Sequence, residues 1–440
     1  MEVAPEAVIA DATVHAPDLT PRQRKRAVIA ASTGNALEFY DFITFAFFAI
    51  QIGNTFFPSK SAFVSLMAAL ATFGAGFITR PIGAFVLGGY ADKHGRKPAM
   101  LISMTMMGTG IALLALTPGY AQIGVIAPVI AVLARMIQGF ALGGEVGSAT
   151  VYMMESATDA RRGFSISWQG ASQQIAASTG ALVGLGLSLM LTAPQLTAFG
   201  WRIALLLGVS IVPFALYIRR SLPETIEIAK QEELPAAVAK SFWRPIICGF
   251  IAIASGTIAT YIFQYMATFG QNSLGLSATI SMAGEFANNG VGIFAILIGG
   301  IASDLYGRRP IMIAAQGAFC LLIVPCFLWL MAGRNATSFI GANLVLSAAS
   351  SAGYGAVYAA ISESLPPAVR ARVFALVYSL PVCIFGGTTQ LVVTWILHVT
   401  GSPMALAWYL TGVSAIGVVA MAMMRESAPV RITRPTAALA

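Results

Sequence analysis

Charged residues are scarce in this sequence, and their scarcity excludes a soluble globular protein. Only 10% of the 440 residues are Asp, Glu, Lys or Arg, whereas 57% are apolar. Average soluble domains carry about 25% charged residues, which keep their surfaces hydrated. The composition therefore predicts that most of the chain lies in a lipid bilayer.

The residue patterns of common enzyme sites are also missing. The histidines His15, His94 and His398 are scattered, and no glycine-rich loop precedes a Lys-Ser or Lys-Thr pair. The four cysteines fall inside apolar runs, where they are typical of packing residues rather than of a disulfide framework. Residues 1–26 lack the apolar core of a cleavable signal peptide. We therefore expect a protein that is not an enzyme and that has neither a cofactor nor a metal site.

What the chain has instead is a series of long apolar runs. Runs of about 18 residues or more cross a bilayer as helices, because unpaired backbone groups cannot face hydrocarbon. Such runs predict an all-α membrane protein with twelve transmembrane helices. They lie at residues 28–50, 63–89, 99–117, 123–154, 163–191, 202–219, 245–269, 278–302, 311–332, 339–364, 373–398 and 404–424.

The basic residues are unevenly distributed among the predicted loops. With residue 1 inside the cell, most of the 26 lysines and arginines fall on the cytoplasmic side, and only Lys60, Arg202 and Arg334 fall in loops on the other side. Cytoplasmic loops of membrane proteins carry this excess. We therefore expect an inner-membrane protein with both termini in the cytoplasm. The net charge of +8 then reflects topology rather than a nucleic-acid partner.

One loop motif occurs twice, after the second predicted span of each half. It predicts two pseudo-symmetric six-helix bundles, which can rock against each other to expose a central site to either side. The repeated residues are Gly88, Asp92, Gly95 and Arg96 in the first copy and Gly300, Asp304, Gly307 and Arg308 in the second. The predicted segments are a cytoplasmic tail at 1–26, bundles at 27–219 and 245–424, a cytoplasmic linker at 220–244, and a second tail at 425–440.

The chemistry of this motif is suited to a gate. Gly88 allows close helix contact, and Asp92 can cap the positive end of another helix. Arg96 can reach Glu155 or Asp159, and Arg308 can reach Glu363, so that these pairs close the cytoplasmic side. The alternative is that the loop charges only enforce topology.

The pattern Gly-x-x-x-Asp-(Arg/Lys)-x-Gly-Arg-(Arg/Lys) resembles the signature of the major facilitator superfamily. Residues 34–42, 77–84 and 135–140 look like the metabolite:proton symporter family within it. Residues 55–58, 73–77 and 167–174 look most like its citrate and tricarballylate transporters. The resemblance implies a monomeric symporter that imports citrate or a related tricarboxylate with protons. A dicarboxylate or zwitterionic osmolyte as substrate, sodium as coupling ion and a sensor that retains the fold are the alternatives.

Few charged residues fall inside the predicted spans, and insertion of each costs about 2.5 to 3.5 kcal/mol. Arg80 lies near the predicted midplane, where its planar guanidinium suits capture of an anionic carboxylate. A buried ion pair of Arg80 with Glu38 or Asp41 is the alternative. The charged residues of the predicted spans are Glu38, Asp41, Arg80, Arg135, Glu145 and Glu285.

Arg135, Gln138 and Glu145 lie on one predicted helical face that should point into the bundle. Similarity to proton-coupled facilitators implies that Asp41 pairs with Arg135, so that protonation of Asp41 would free the arginine for substrate. We therefore assign proton coupling to Asp41, Glu38, Arg135 and Glu145. A static structural pair is the alternative.

Other polar residues on the predicted helices can supply neutral contacts to the substrate. Some of them are expected to form hydrogen bonds between helices instead. The predicted substrate-binding residues besides Arg80 are Gln169, Gln173, Tyr261, Gln264, Tyr265, Asn288, Asn289 and Tyr358.

Overall fold

The computed structural model describes residues 32, 35–36, 39–40, 42–94, 96–143, 153, 157–221 and 243–429, and the described residues are mostly helical. Seven of the helices in these ranges are long and apolar enough to cross a membrane. The helices of the N-terminal half are α1 (Ala49–Phe56), α2 (Ala62–His94), α3 (Arg96–Leu116), α4 (Ile126–Leu142), α5 (Arg162–Met190) and α6 (Trp201–Ser221). Residues 42–47, directly before α1, are also helical.

The C-terminal half repeats the pattern with two interrupted helices. Its helices are α7 (Trp243–Asn272), α8 (Ala278–Tyr306), α9 (Arg308–Gly333), α10a (Ala336–Ala352), α10b (Tyr354–Glu363), α11a (Pro367–Pro381), α11b (Gly387–Thr400) and α12 (Met404–Met423). A π-helical turn at Val382–Gly386 joins α11a to α11b. The sequence predicted uninterrupted spans at 339–364 and 373–398, and neither interruption was anticipated.

The helix ends agree with most predicted spans to within a few residues. The largest differences in the described ranges are six residues, at the end of α1 (Phe56 against a predicted 50) and at the start of α11a (Pro367 against a predicted 373). α4 is described to Leu142, and most of the predicted span beyond it lies outside the described residues. α6 extends to Ser221 and α7 begins at Trp243, slightly inside the predicted linker 220–244. The rest of that linker and the predicted tail 1–26 lie outside the described residues.

In the described ranges, the two halves meet mainly where α5 packs on α8 and α10b and where α2 packs on α11. Small residues bring the paired backbones close together. A Cβ atom on Gly74 of α2 would lie 2.6 Å from the carbonyl oxygen of Gly387 in α11b, and one on Gly300 of α8 would lie 2.9 Å from the carbonyl oxygen of Gly163 in α5. We call the end that carries the repeated loops the motif end, and the opposite end the far end.

Candidate functional site

The position of Arg80 follows from close packing between α2 and α4. A Cβ atom on Gly139 of α4 would overlap the carbonyl oxygen of Gly76 in α2, and one on Gly143 would overlap the carbonyl oxygen of Arg80. Only glycine permits backbones to approach in this way. The two helices therefore place Arg80 and Arg135 beside each other in the N-terminal half.

Arg80 is buried, with 8% of its surface exposed, and lies near the middle of α2. Its Cζ atom is 4.4 Å from the ring centre of Phe42 and 4.2 Å from that of Phe77, so aromatic faces stabilise the cation. The Nε and Nη2 atoms have no hydrogen-bond acceptor in the part of the chain that the structure describes. No carboxylate in those ranges pairs with Arg80 either. Glu38 and Asp41, the alternative partners predicted for Arg80, lie outside the described residues.

Tyrosines of the C-terminal half face Arg80. The Tyr261 ring centre in α7 lies 5.4 Å from that of Phe77, and the Tyr261 hydroxyl interacts with the guanidinium. Tyr378 of α11a also faces Arg80, and its ring centre is 6.0 Å from that of Tyr358 in α10b. The site therefore draws side chains from both halves, as a substrate between two moving bundles requires.

Two predicted glutamines of α5 complete this cluster. The Gln173 Nε2 atom donates a hydrogen bond of 3.4 Å to the Tyr378 hydroxyl. Gln169 is fully buried, and its side chain also interacts with the Tyr378 hydroxyl. We call Arg80, Gln169, Gln173, Tyr261, Tyr358 and Tyr378 the central cluster. It offers several hydrogen-bond donors around one fixed positive charge.

Arg135 lies close to the central cluster and shares an aromatic ring with it. Its Cζ atom is 4.3 Å from the ring centre of Phe42 and 4.6 Å from that of Phe45, and its Nη1 atom donates to Gln138. The predicted proton carriers Glu38, Asp41 and Glu145 lie outside the described residues. The contact between Asp41 and Arg135 therefore stays a prediction.

Four predicted binding residues have contacts other than those of the central cluster. Tyr265 is buried in α7 and interacts with Thr394 of α11b. Gln264 is buried, and its Oε1 atom has no donor in the described ranges. Asn288 and Asn289 of α8 instead face Glu285 of the same helix. The structure thus separates these polar residues into more than one group.

At the motif end, the second copy of the repeated loop joins the two halves. The Asp304 carboxylate at the end of α8 accepts hydrogen bonds from the backbone N–H groups of Gly163, at 2.8 Å, and Phe164, at 2.9 Å. These groups belong to the first turn of α5, where the helix dipole favours a negative charge. Asp304 therefore caps a helix of the other half, as the sequence predicted for its counterpart Asp92.

Arg308 joins Asp304 to Glu363, and the predicted Arg308–Glu363 contact is present. Its Nη1 atom is 2.6 Å from Asp304 Oδ1, and its Nη2 atom is 2.9 Å from Glu363 Oε1. Gly307 just before it has a φ of +100°, a conformation that favours glycine. In the first copy of the loop, Gly88 lies in α2. Gly95 and Glu155 lie outside the described residues, and so do the side chains of Asp92 and Arg96.

Sequence reasoning missed two residues of this network, Glu426 and Ser427. The Glu426 carboxylate accepts hydrogen bonds from the backbone N–H groups of Arg308 and Arg309, at 2.8 and 3.0 Å. The Ser427 hydroxyl donates to Glu363 Oε2 at 2.8 Å. Both were assigned to the cytoplasmic tail 425–440, but these residues pack against the start of α9. The only feature of the sequence that pointed to this contact was an acidic residue just after the last predicted span.

Tyr378 of the central cluster was also missed. A tyrosine inside an apolar run is not distinctive by itself. The signal lay just beyond it, in Pro381 and the glycine pair Gly386-Gly387, which accompany the π-helical turn at Val382–Gly386. Such turns occur frequently at functional sites.

The halves also meet at the far end. The Phe63 ring at the start of α2 stacks on His398 of α11b with ring centres 3.8 Å apart. The Thr279 hydroxyl of α8 donates to the Ser188 carbonyl of α5 at 3.3 Å. The halves are thus in contact at both ends, and the central cluster between them is enclosed.

Comparisons with known proteins agree with this architecture. The family described as "Sugar (and other) transporter" matches residues 26–242. The citrate-proton symporter of Salmonella typhi is 37% identical over 405 residues, which cover 90% of this chain and 93% of that protein. A putative proline/betaine transporter of Staphylococcus aureus is 32% identical, covering 92% and 89%. The alpha-ketoglutarate permease of Escherichia coli is also 32% identical, covering 96% and 98%.

Among solved structures, the chain resembles the xylose transporter XylE from E. coli in a partially occluded inward-open conformation. The TM-score is 0.73 at 14% identity, with 92% of this chain and 98% of that chain covered. This likeness and the relatives confirm the predicted fold class, an all-α membrane protein of twelve transmembrane helices in two six-helix bundles.

Proposed function

Because this chain belongs to the major facilitator superfamily, whose members here are membrane transporters rather than enzymes, we propose that it imports citrate or a related tricarboxylate together with protons. The carrier would lie in the inner membrane with its motif end and both termini in the cytoplasm. The relatives include transporters named for citrate, proline/betaine and alpha-ketoglutarate. The choice of substrate class therefore depends on the chemistry of the central cluster.

The observation that carries the proposal is the state of Arg80. The Nε and Nη2 atoms of this buried guanidinium have no acceptor among the described residues, and a guanidinium can bind a carboxylate in two places without losing its proton. The hydroxyls of Tyr261 and Tyr378 and the amide of Gln169 lie around it. These neutral groups can bind a hydroxyl or further carboxylates, as a compact polyanion requires.

Import of a polyanion needs a coupling ion. At a potential of about 100 mV, negative inside, each charge works against about 2.3 kcal/mol, or about 7 kcal/mol for a trianion. Co-transported protons remove this cost. Asp41, Glu38 and Glu145 are our candidates to carry them with Arg135, and sodium remains the alternative coupling ion. No further cofactor is part of the proposal.

The contacts at both ends suggest how the carrier works. Separation of Phe63 from His398 would open the central cluster to the outside, and separation of Asp304 from α5 would open it to the cytoplasm. Because the halves touch at both ends, the structure corresponds to an enclosed intermediate of such a cycle. The repeated loop then acts as the cytoplasmic gate.

A zwitterionic osmolyte is the second candidate, since one relative carries that name. Aromatic rings can bind a quaternary ammonium group. In this chain, however, the Phe42 and Phe77 rings already contact the Arg80 guanidinium. A second cation there would face a positive charge, so the central cluster favours an anion.

Uptake into proteoliposomes tests the proposal. Labelled citrate, tricarballylate, alpha-ketoglutarate and betaine would be offered in turn under an imposed pH gradient, and then under a sodium gradient. We expect a tricarboxylate to accumulate in response to the pH gradient. Accumulation of betaine alone would contradict the tricarboxylate assignment, and accumulation driven only by sodium would contradict proton coupling.

A further inference from the structure

The described ranges of the C-terminal half contain four acidic residues, and three of them belong to the network at the motif end. The fourth, Glu285, lies in α8, about 10 Å along the helix from its far end at a rise of 1.5 Å per residue. It is 1% exposed. A buried acid on a membrane-spanning helix is costly and is a functional candidate by default.

The partners of Glu285 are neutral. Its Oε1 atom accepts a hydrogen bond of 3.0 Å from the backbone N–H of Ala267 in α7. Its Oε2 atom lies 3.5 Å from the amide nitrogen of Asn289, one turn along α8. No charged or titratable side chain of α5, α7, α9 or α10 interacts with Glu285 in the part of the chain that the structure describes.

An unpaired carboxylate at this depth would lose hydration without gaining a counter-charge. A neutral carboxyl group avoids that cost. The side chains that face Glu285 are the neutral amides of Asn288 and Asn289, and neither supplies a counter-charge. The geometry therefore fits a protonated Glu285 in the enclosed conformation.

The contact of Glu285 with α7 makes its environment dependent on helix movement. At the next turn toward the far end, a Cβ atom on Gly270 of α7 would lie 2.6 Å from the hydroxyl of Ser281, so the two helices pack closely and exclude water. If α7 moves away from α8, Glu285 loses the Ala267 N–H and meets water. Its proton can then pass to a water molecule, which leaves a hydrated carboxylate.

We propose that Glu285 is a proton-carrying residue of the transport cycle, in addition to the acids near Arg135. It takes up a proton from water on the outer side, retains it while the halves enclose the substrate, and releases it to water from the cytoplasmic side. This inference rests on proton coupling as proposed above, but it does not depend on citrate being the substrate.

Infrared difference spectroscopy of the purified chain tests the protonated state directly. Part of the neutral-carboxyl absorption of the native chain at neutral pH should be lost in Glu285→Gln. The full absorption should survive in the control Glu363→Gln, because the Glu363 carboxylate is paired with Arg308. If Glu285→Gln does not fold, Asn288→Ala should shift the same component, since the Asn288 amide is hydrogen-bonded to Glu285. Neutral-carboxyl absorption that is unchanged in Glu285→Gln, or in Asn288→Ala, would overturn the proposal.

Transport supplies the second readout, with whichever substrate the native carrier accumulates. With the membrane potential clamped and a pH gradient of about one unit, loss of one coupled proton should lower the accumulation ratio about tenfold in Glu285→Gln, since each proton contributes about 1.4 kcal/mol per pH unit. Counterflow, which requires only that the loaded carrier reorient, should fall less. An accumulation ratio in Glu285→Gln equal to that of the native carrier would overturn the proposal. Accumulation by the native carrier that depends on a sodium gradient and not on a pH gradient would overturn it as well.

Discussion

Arg80 and Arg308 are both buried arginines, but they have opposite surroundings. Two carboxylates hold Arg308, at 2.6 Å from Asp304 and 2.9 Å from Glu363. Two aromatic rings hold Arg80, and two of its nitrogens have no acceptor in the described part of the chain. From this difference we propose that Arg308 stabilises one arrangement of the helices, whereas Arg80 binds an anion.

The comparison extends to what each arginine connects. Arg308 pairs with Asp304, and Asp304 caps the first turn of α5 in the other half. Arg80 lies between the halves, where a bound carboxylate could also contact Tyr261 and Tyr378. In the proposed cycle, Arg308 would stabilise the closed motif end and Arg80 would bind the substrate.

The largest effect is expected from Arg308→Ala. It would leave two buried carboxylates without a counter-charge, and breaking a buried pair in this way costs about 3 to 5 kcal/mol. Thermal unfolding in detergent should show a much lower midpoint for this variant. Arg309→Ala is the control, because the Arg309 guanidinium is exposed and bonds only a backbone carbonyl of α12. If Arg308→Ala and Arg309→Ala unfold at the same temperature, the ion pairs of Arg308 do not stabilise the fold, and the contrast drawn with Arg80 is wrong.

A smaller effect is expected from Tyr378→Phe. The substitution removes one hydroxyl that faces Arg80 and should weaken citrate binding by about 1.5 kcal/mol, the lower end for a hydrogen bond to a charged group. Calorimetric titration of the purified protein measures this change. Tyr409→Phe in α12 is the control, since Tyr409 is not part of the central cluster. Identical affinities for both variants would place Tyr378 outside the binding site.

Asp304→Asn should shift the conformation rather than unfold the protein. It removes the charge at the start of α5, where a charged cap contributes about 1 kcal/mol, and so favours the motif-end-open state about fivefold. A cysteine at Ser167, which is fully buried in the closed structure, should then react faster with a soluble thiol reagent. We predict the same direction for Asp92→Asn. Unchanged labelling in both variants would reduce the loops to topology signals.

A smaller loss of thermal stability than that of Arg308→Ala is expected from Ser427→Ala. It removes the hydrogen bond to Glu363 but leaves the Arg308 pairs in place, so it should cost about 1.5 kcal/mol, the lower end for a bond to a charged group. The same thermal unfolding measurement detects it. A loss as large as that of Arg308→Ala would show that the tail, rather than the ion pairs, holds the motif end closed.

The features that could be predicted from the sequence are the apolar membrane spans and the charged residues within them. Apolar runs defined the helices, and a charge within a run, such as Arg80, is costly enough to stand out. Tyr378 could not be found in this way, because a tyrosine in an apolar run is ordinary. Glu426 lies beyond the last span, where acidic residues are common. The pairing of Asp304 with α5 depends on how the halves dock, which helical periodicity does not encode.

The breaks at Gly353 and at Val382–Gly386 were missed for a related reason. Both lie within long runs that are apolar on average, and mean hydropathy does not respond to a single altered turn. Tyr358 and Tyr378 lie on the segments next to these breaks. Their approach to Arg80 therefore depends on backbone geometry that only the folded chain reveals.

The central claim is that Arg80 binds a carboxylate of the substrate with its planar guanidinium. Calorimetric titration of citrate into the native protein, Arg80→Lys and Arg202→Lys tests it most directly. Arg202→Lys is the matched control, because Arg202 also packs on an aromatic ring, with its Cζ 4.2 Å from the ring centre of Trp201, but binds backbone carbonyls near the far end. We predict that Arg80→Lys weakens citrate binding by about 1.5 to 3 kcal/mol, while Arg202→Lys binds like the native protein. Citrate binding to Arg80→Lys with native affinity would contradict the account.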